Sequence, residues 1–201
     1  MKIPKEEIEK LFKIKGEING IALLEDKRFF LDRFGKDDLK RIEDEISNII
    51  GEEFRYDKIA SFKYYPLYLS VLATLILKYE FNFNDDGLRD FGKEGAKVSL
   101  IIKLFLRHVI SLKSIQEKGP AIWRKYFSNT GKLTIEKFDD KKKTIILKIE
   151  DFNPHPLYCR QIEGVIYQLF SYIVKDNKNL KVEETECTFR GSKNHKFKIS
   201  W

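Results

Sequence analysis

The sequence predicts an α+β fold, with N-terminal helices packed on a C-terminal antiparallel sheet of β-β-α-β-β order. Three observations predict it. Apolar residues recur at steps of three and four up to about residue 128. Beyond it, alternate residues are apolar in four short segments. One strongly apolar helical stretch then divides those segments into two hairpins. With 201 residues, 42% hydrophobic and 34% charged, the chain can bury a core beneath a solvated surface. The expectation is a single domain, 1–201, helical over about 1–128 and β-β-α-β-β over about 129–201.

The elements follow in order. Ile18, Ile21, Leu24 and Leu31 fit one helix face, and Phe34-Gly35 supplies a stop. Leu39, Ile42, Ile46 and Ile49 predict an amphipathic helix ending near Gly51. Pro66 suits a first helical turn, and Leu67 to Tyr79 is apolar nearly all round, as in a buried helix. Asn84 is placed to cap the next helix, which is expected to break near Gly92 to Gly95 and continue through Ile101, Leu104, Phe105 and His108. Gly119-Pro120 predicts another break, leaving Ala121 to Phe127 as a short helical piece. Thr130-Gly131 is a turn. Leu133 and Ile135, then Ile145, Leu147 and Ile149, alternate on two strands joined by the polar run Phe138 to Lys143. Pro154 and Pro156 bracket a turn before a helix whose buried face carries Ile162, Val165, Ile166, Leu169, Phe170 and Ile173. Gly164 inside it is expected to permit close packing against the sheet. The apolar face of Leu180 to Phe189 slips phase, which predicts a bulge near Glu183 to Thr185. Phe197, Ile199 and Trp201 alternate on the closing strand.

The formal charge is +7 and the pI about 9.2. The excess is mostly lysine, spread along the chain and interleaved with acids, so it reads as a solvated surface and not as a nucleic-acid footprint. Two cysteines and no apolar leader point to the cytoplasm, and Leu67 to Leu77 is about half a membrane span. Phosphate loops, paired catalytic carboxylates and a nucleophile with a base are not found, so no enzymatic activity is expected.

The closing stretch Cys187-Thr-Phe-Arg-Gly191-Ser-Lys-Asn-His195-Lys-Phe197-Lys-Ile199-Ser-Trp201 resembles the last hairpin of the 4-vinyl-reductase-type (hydrocarbon-binding) domains. It also resembles their relatives in the heme/nitric-oxide-binding-like superfamily, which share a fold with subunits of a vesicle-tethering complex. The pattern there is Cys, three residues, Gly, three residues, Cys, then alternating apolar positions to a Trp; here His195 takes the second Cys position. Gly119-Pro120-Ala-Ile-Trp123-Arg124-Lys-Tyr126 and Tyr158-Cys159-Arg160-Gln-Ile-Glu163-Gly164 resemble two further segments. The resemblance covers about residues 115 to 201. It implies a sensor-type domain that binds an apolar small molecule without catalysis. The other implied reading is a protein-interaction or scaffold subunit, possible as a homodimer, holding no ligand. With the chain ending at Trp201, a signal is expected to pass to another protein.

The expected pocket, between helices and sheet, would be lined by Phe105, His108, Trp123, Tyr126, Phe152 and Tyr158. The bland reading of each is plain core packing. His155, Cys159, Cys187 and His195 offer two imidazoles and two thiols, which zinc accepts in a tetrahedral set, although their spacing matches no zinc finger. Heme-binding relatives use a helical His on iron and a Tyr-x-Ser-x-Arg motif on the propionates. His108 suits the first, but the matching region reads Pro154-His155-Pro156-Leu157-Tyr158-Cys159-Arg160. No cofactor is therefore expected, with heme and zinc both disfavoured.

Overall fold

The computed structural model describes residues 2–106 and 112–201, without the side chains of residues 100, 105, 112 and 113. Helix α1 (Lys5–Leu11) leads into a short strand β1 (Glu17–Asn19). The Asn19 side chain accepts from the Ile21 N–H, capping α2 (Gly20–Ile50). Ile18, expected on a helix, is thus on β1. At the expected stop, Phe34-Gly35, Gly35 has φ 85 and ψ −177, outside the helical region, so α2 is two helical runs that meet at a kink there. β2 (Tyr64–Pro66) pairs antiparallel with β1, which also pairs with β3 (Phe127–Ser128). This small sheet was not foreseen, because strands of two and three residues carry no alternation to read.

Helix α3 (Tyr68–Tyr79) is buried over Leu69 to Leu77, as its apolar composition predicts. Helix α4 (Asp85–Val98) starts at the expected Asn84 cap. It does not break at Gly92 to Gly95. Gly92 instead serves a crossing with α7 (Pro156–Ile173): a Cβ on Gly92 would stand 2.0 Å from the Gln161 carbonyl oxygen, and one on Gly164 would stand 1.9 Å from that of Arg89. Gly164 therefore serves close packing against α4, not against the sheet. Helices α5 (Leu100–Leu106) and α6 (Leu112–Tyr126) follow, and α6 runs straight through Gly119-Pro120. The proline costs that helix one backbone hydrogen bond without ending it.

The C-terminal sheet has the order β4-β5-β7-β6 and is antiparallel throughout: β4 (Lys132–Asp139), β5 (Thr144–Glu150), β6 (Lys181–Glu186) and β7 (His195–Ser200). The β-β-α-β-β order holds. The register of β6 on β7 shifts between Glu184 and Glu186, where the bulge was expected. A second shift, between Ile135 and Lys137 on β4, had no sequence signal. β6 ends at Glu186, and Thr188–Arg190 form a 3-10 turn instead of more strand. Ile145, Leu147, Ile149, Phe197 and Ile199 bury one sheet face in the cluster that also takes Leu72, Leu75, Phe91, Ile166 and Phe170 from the helices. Among the described residues no helix is long and apolar enough to cross a membrane.

Candidate functional site

A cavity of about 110 Å³ lies where the helices meet the sheet. Its walls are mostly apolar: Ile18 and Ala22 from the N-terminal half, Phe91 from α4, Leu133 and Leu147 from the sheet, and Ile166 from α7. Trp123, Tyr126 and Tyr158, three of the expected pocket residues, line it. Phe152 does not. It stands behind the wall, with its ring 4.9 Å from Trp123, 5.2 Å from Phe127 and 6.2 Å from Tyr158. Phe105 is on α5, but its side chain lies outside the described residues, as does His108 altogether. Described residues on both sides of His108 face the cavity: Ile102 before it, Ile115 and Gly119 after it.

The wall also carries two carboxyl groups that the sequence reading missed. Asp26 is 4% exposed, and its Oδ2 accepts from Ser70 Oγ at 3.0 Å. Ser70 Oγ is in turn 3.3 Å from the Tyr158 hydroxyl. Glu25 Oε1 accepts from the Tyr126 hydroxyl at 3.3 Å, and that hydroxyl also meets Ser99 Oγ. Burial pushes Glu25 up to about 8 against the help of these hydroxyls. Burial also raises Asp26 well above the usual carboxylate range, with the Glu25 charge adding to it against the Ser70 hydrogen bond. A signal for Asp26 existed. Ala22, Asp26 and Phe30 recur at helical steps of four, so the buried face of α2 includes an acid.

A second cluster forms at the N-terminal end of α7. Cys159, Glu184, Cys187 and His195 are all buried, and one ligand atom from each lies within 4.8 Å of the others. His195 Nε2 donates to the Phe152 carbonyl at 2.8 Å, which leaves Nδ1 turned to Glu184 Oε1 at 2.8 Å and Cys159 Sγ at 3.7 Å. Glu184 also takes Arg160 at 2.5 Å and Arg190 at 3.2 Å. Burial works to raise it, but His195, Cys159 and Arg160 hold it below its ordinary value. Burial likewise pushes the Cys159 thiol up, and the nearby Glu184 charge pushes it further. Three of the four expected metal ligands are therefore brought together. His155 is not among them. Its Nε2 meets Glu7 Oε2 at 2.5 Å, and its Nδ1 accepts from the Leu157 N–H, capping α7. Glu184 takes its place. Leu180, Val182 and Glu184 alternate, so the inward position of Glu184 was legible before the bulge shifts the phase.

No protein-family model matches the chain, and no curated protein matches it. Solved structures do. An H-NOX protein from S. oneidensis in the Fe(II)NO ligation state aligns at TM-score 0.65 with 12% identity, covering 91% of this chain and 98% of that one. An Fe(II) unliganded H-NOX protein from K. algicida aligns at 0.61 with 15% identity, covering 91% and 96%. A structure described as probing heme distortion in the H-NOX family aligns at 0.64 with 15% identity, covering 92% and 95%. The expectation that disfavoured heme is thereby corrected: the fold this chain adopts is one that iron-loaded proteins use. That expectation leaned on one missing propionate motif, a local pattern that constrains the fold little. The chain has the heme/nitric-oxide-binding-like fold that its closing hairpin resembles.

Proposed function

We propose that the chain is a ligand-binding sensor domain whose interior cavity holds an apolar small molecule, with heme as the first cofactor to test. The observation that carries this reading is the apolar cavity between the helices and the sheet. Its walls suit the face of a porphyrin, although a macrocycle needs more room than about 110 Å³, so the wall must part to admit one. His108 is the histidine left for the iron, since His155 and His195 are engaged elsewhere. The described cavity wall carries no Arg or Lys. Beyond Glu25, however, a surface groove carries Arg28, Arg33, Lys93 and Lys97, which can meet carboxylates that reach outward. Bound heme would supply an iron site for a small gas molecule; this chain's residues would exclude water and orient the ring. Hemin titrated into the purified chain should give a saturable one-to-one Soret band that is lost in His108→Ala. A spectrum that stays that of free hemin at equimolar protein would overturn the heme reading.

A second reading is favoured by the compact set Cys159, Glu184, Cys187 and His195, which suits a structural zinc ion. Tetrahedral zinc would need the ligand atoms drawn to roughly 3.5 Å of one another. Two thiolates and a carboxylate would exceed the ion's charge by one, and Arg160 against Glu184 compensates it. Elemental analysis of the purified chain should find about one zinc per chain, and Cys187→Ala should remove most of it. Less than about a tenth of an equivalent after purification with zinc present would exclude the ion.

A further inference from the structure

We propose that Glu25 and Asp26 form the polar recognition pair of the cavity, presenting acid O–H groups to a hydrogen-bond acceptor on an otherwise apolar ligand. The matching ligand class is an apolar ring or chain bearing a carbonyl or carboxylate oxygen. This rests on the reading of the cavity as a ligand site and names what the ligand must carry.

The groups that face the pair are hydroxyls from every element packed on it: Ser70 from α3, Tyr158 from α7, Tyr126 from α6, and Ser99 between α4 and α5. Tyr56 adds a buried phenol near Asp26. Among the described cavity residues none is a Lys, Arg or His. The charges in the groove outside Glu25 largely answer one another: Arg28 with Asp32, Lys93 with Asp90, and Lys97 with Glu94. A carboxylate ion here would be buried without a counter-ion, and such groups take up a proton instead. The raised values of both acids agree. Asp26 Oδ2 accepts from Ser70, which leaves Oδ1 to carry the proton. A proton on Oδ1 makes a donor, and a neutral acid in an apolar wall can serve an acceptor without any charge being desolvated. A cationic ligand would have to bury a full ion pair, whose desolvation can cancel its attraction.

The test uses three probes on one carbon skeleton: acetophenone, ethylbenzene and 1-phenylethylamine. A cavity near this size can take one benzene ring. Each is titrated calorimetrically into the full chain at pH 6.5 and pH 9. Acetophenone should bind roughly tenfold tighter than ethylbenzene at pH 6.5, about one net hydrogen bond. That preference should shrink at pH 9 as Glu25 loses its proton. Glu25→Gln, whose amide still donates, should keep the preference and lose most of the pH dependence. Equal affinity for acetophenone and ethylbenzene overturns the donor role while leaving the cavity an apolar site. Tightest binding of the amine, strengthening with pH, overturns it in favour of an ion-pairing acid. Binding of none of the three overturns the ligand reading of the cavity as well.

Discussion

Two acidic regions of this protein differ in one respect: among the described residues, one has cations and the other has none. At the N-terminal end of α7, Glu184 and Glu163 are held by Arg160, Arg89 and Arg190, His195 Nδ1 stands 2.8 Å from Glu184, and Glu163 also accepts from the Glu184 N–H at 2.8 Å. At the cavity wall, the described partners of Glu25 and Asp26 are hydroxyls. The first arrangement holds Glu184 below its ordinary value, and the second pushes Glu25 up to about 8. Burial is common to both, so the counter-ion decides whether a buried acid is a structural anion or a proton-bearing donor. Their contributions to stability should therefore fail at opposite ends of the pH scale. Glu184 contributes above its unfolded value of about 4.5, and that contribution is lost as pH falls through its lower folded value. Glu25 keeps its proton in the folded state, so its contribution is full below about 4.5 and is lost as pH rises towards about 8.

Three variants break or sharpen this contrast. The largest effect is expected from Gly164→Ala, because the new methyl would meet the Arg89 carbonyl and lever α4 from α7, on which both regions depend. Urea unfolding should show a loss of roughly 3 kcal/mol or more. Arg160→Met strikes the paired region alone. Glu184 and Glu163 keep their other cations, so the loss should be about 2–3 kcal/mol at pH 7, and smaller at pH 4 as carboxylates become protonated. An equal loss at both values would mean that packing of the Arg160 stem matters more than its charge. Glu25→Gln should be the mildest: close to neutral at pH 5.5 and stabilising by about 1–2 kcal/mol at pH 9, where the native side chain must hold a buried charge. A variant with the same stability difference at both values would refute the proton-bearing role of Glu25.

Regions also differ in how legible they were. Asn84 before an acidic turn, the apolar run of α3 and the alternation on β5 and β7 were readable because each rests on neighbours in sequence. The expected breaks at Gly92 and Pro120 failed for the opposite reason. A glycine in a helix reads as a weakness until the second helix that needs its bare Cα is in place, and a lone proline can be outweighed by packing on both sides of it. Of the buried cluster, Cys159, Cys187 and His195 were legible as a group. His155 was in the expected set and Glu184 was not; the chain path turns His155 towards Glu7, and Glu184 stands beside the cysteines instead.

By itself the sequence determined the α+β class, the β-β-α-β-β order and the bulge on β6, since periodicity and turn chemistry are local properties of a chain. Tertiary structure alone decided that Glu25 and Asp26 share a wall with Tyr126 and Tyr158, and that Glu184 completes the cysteine cluster. The reason is electrostatic. Whether an acid is solvated, paired or forced to keep its proton depends on what distant segments bring against it, and no spacing along the chain encodes that environment.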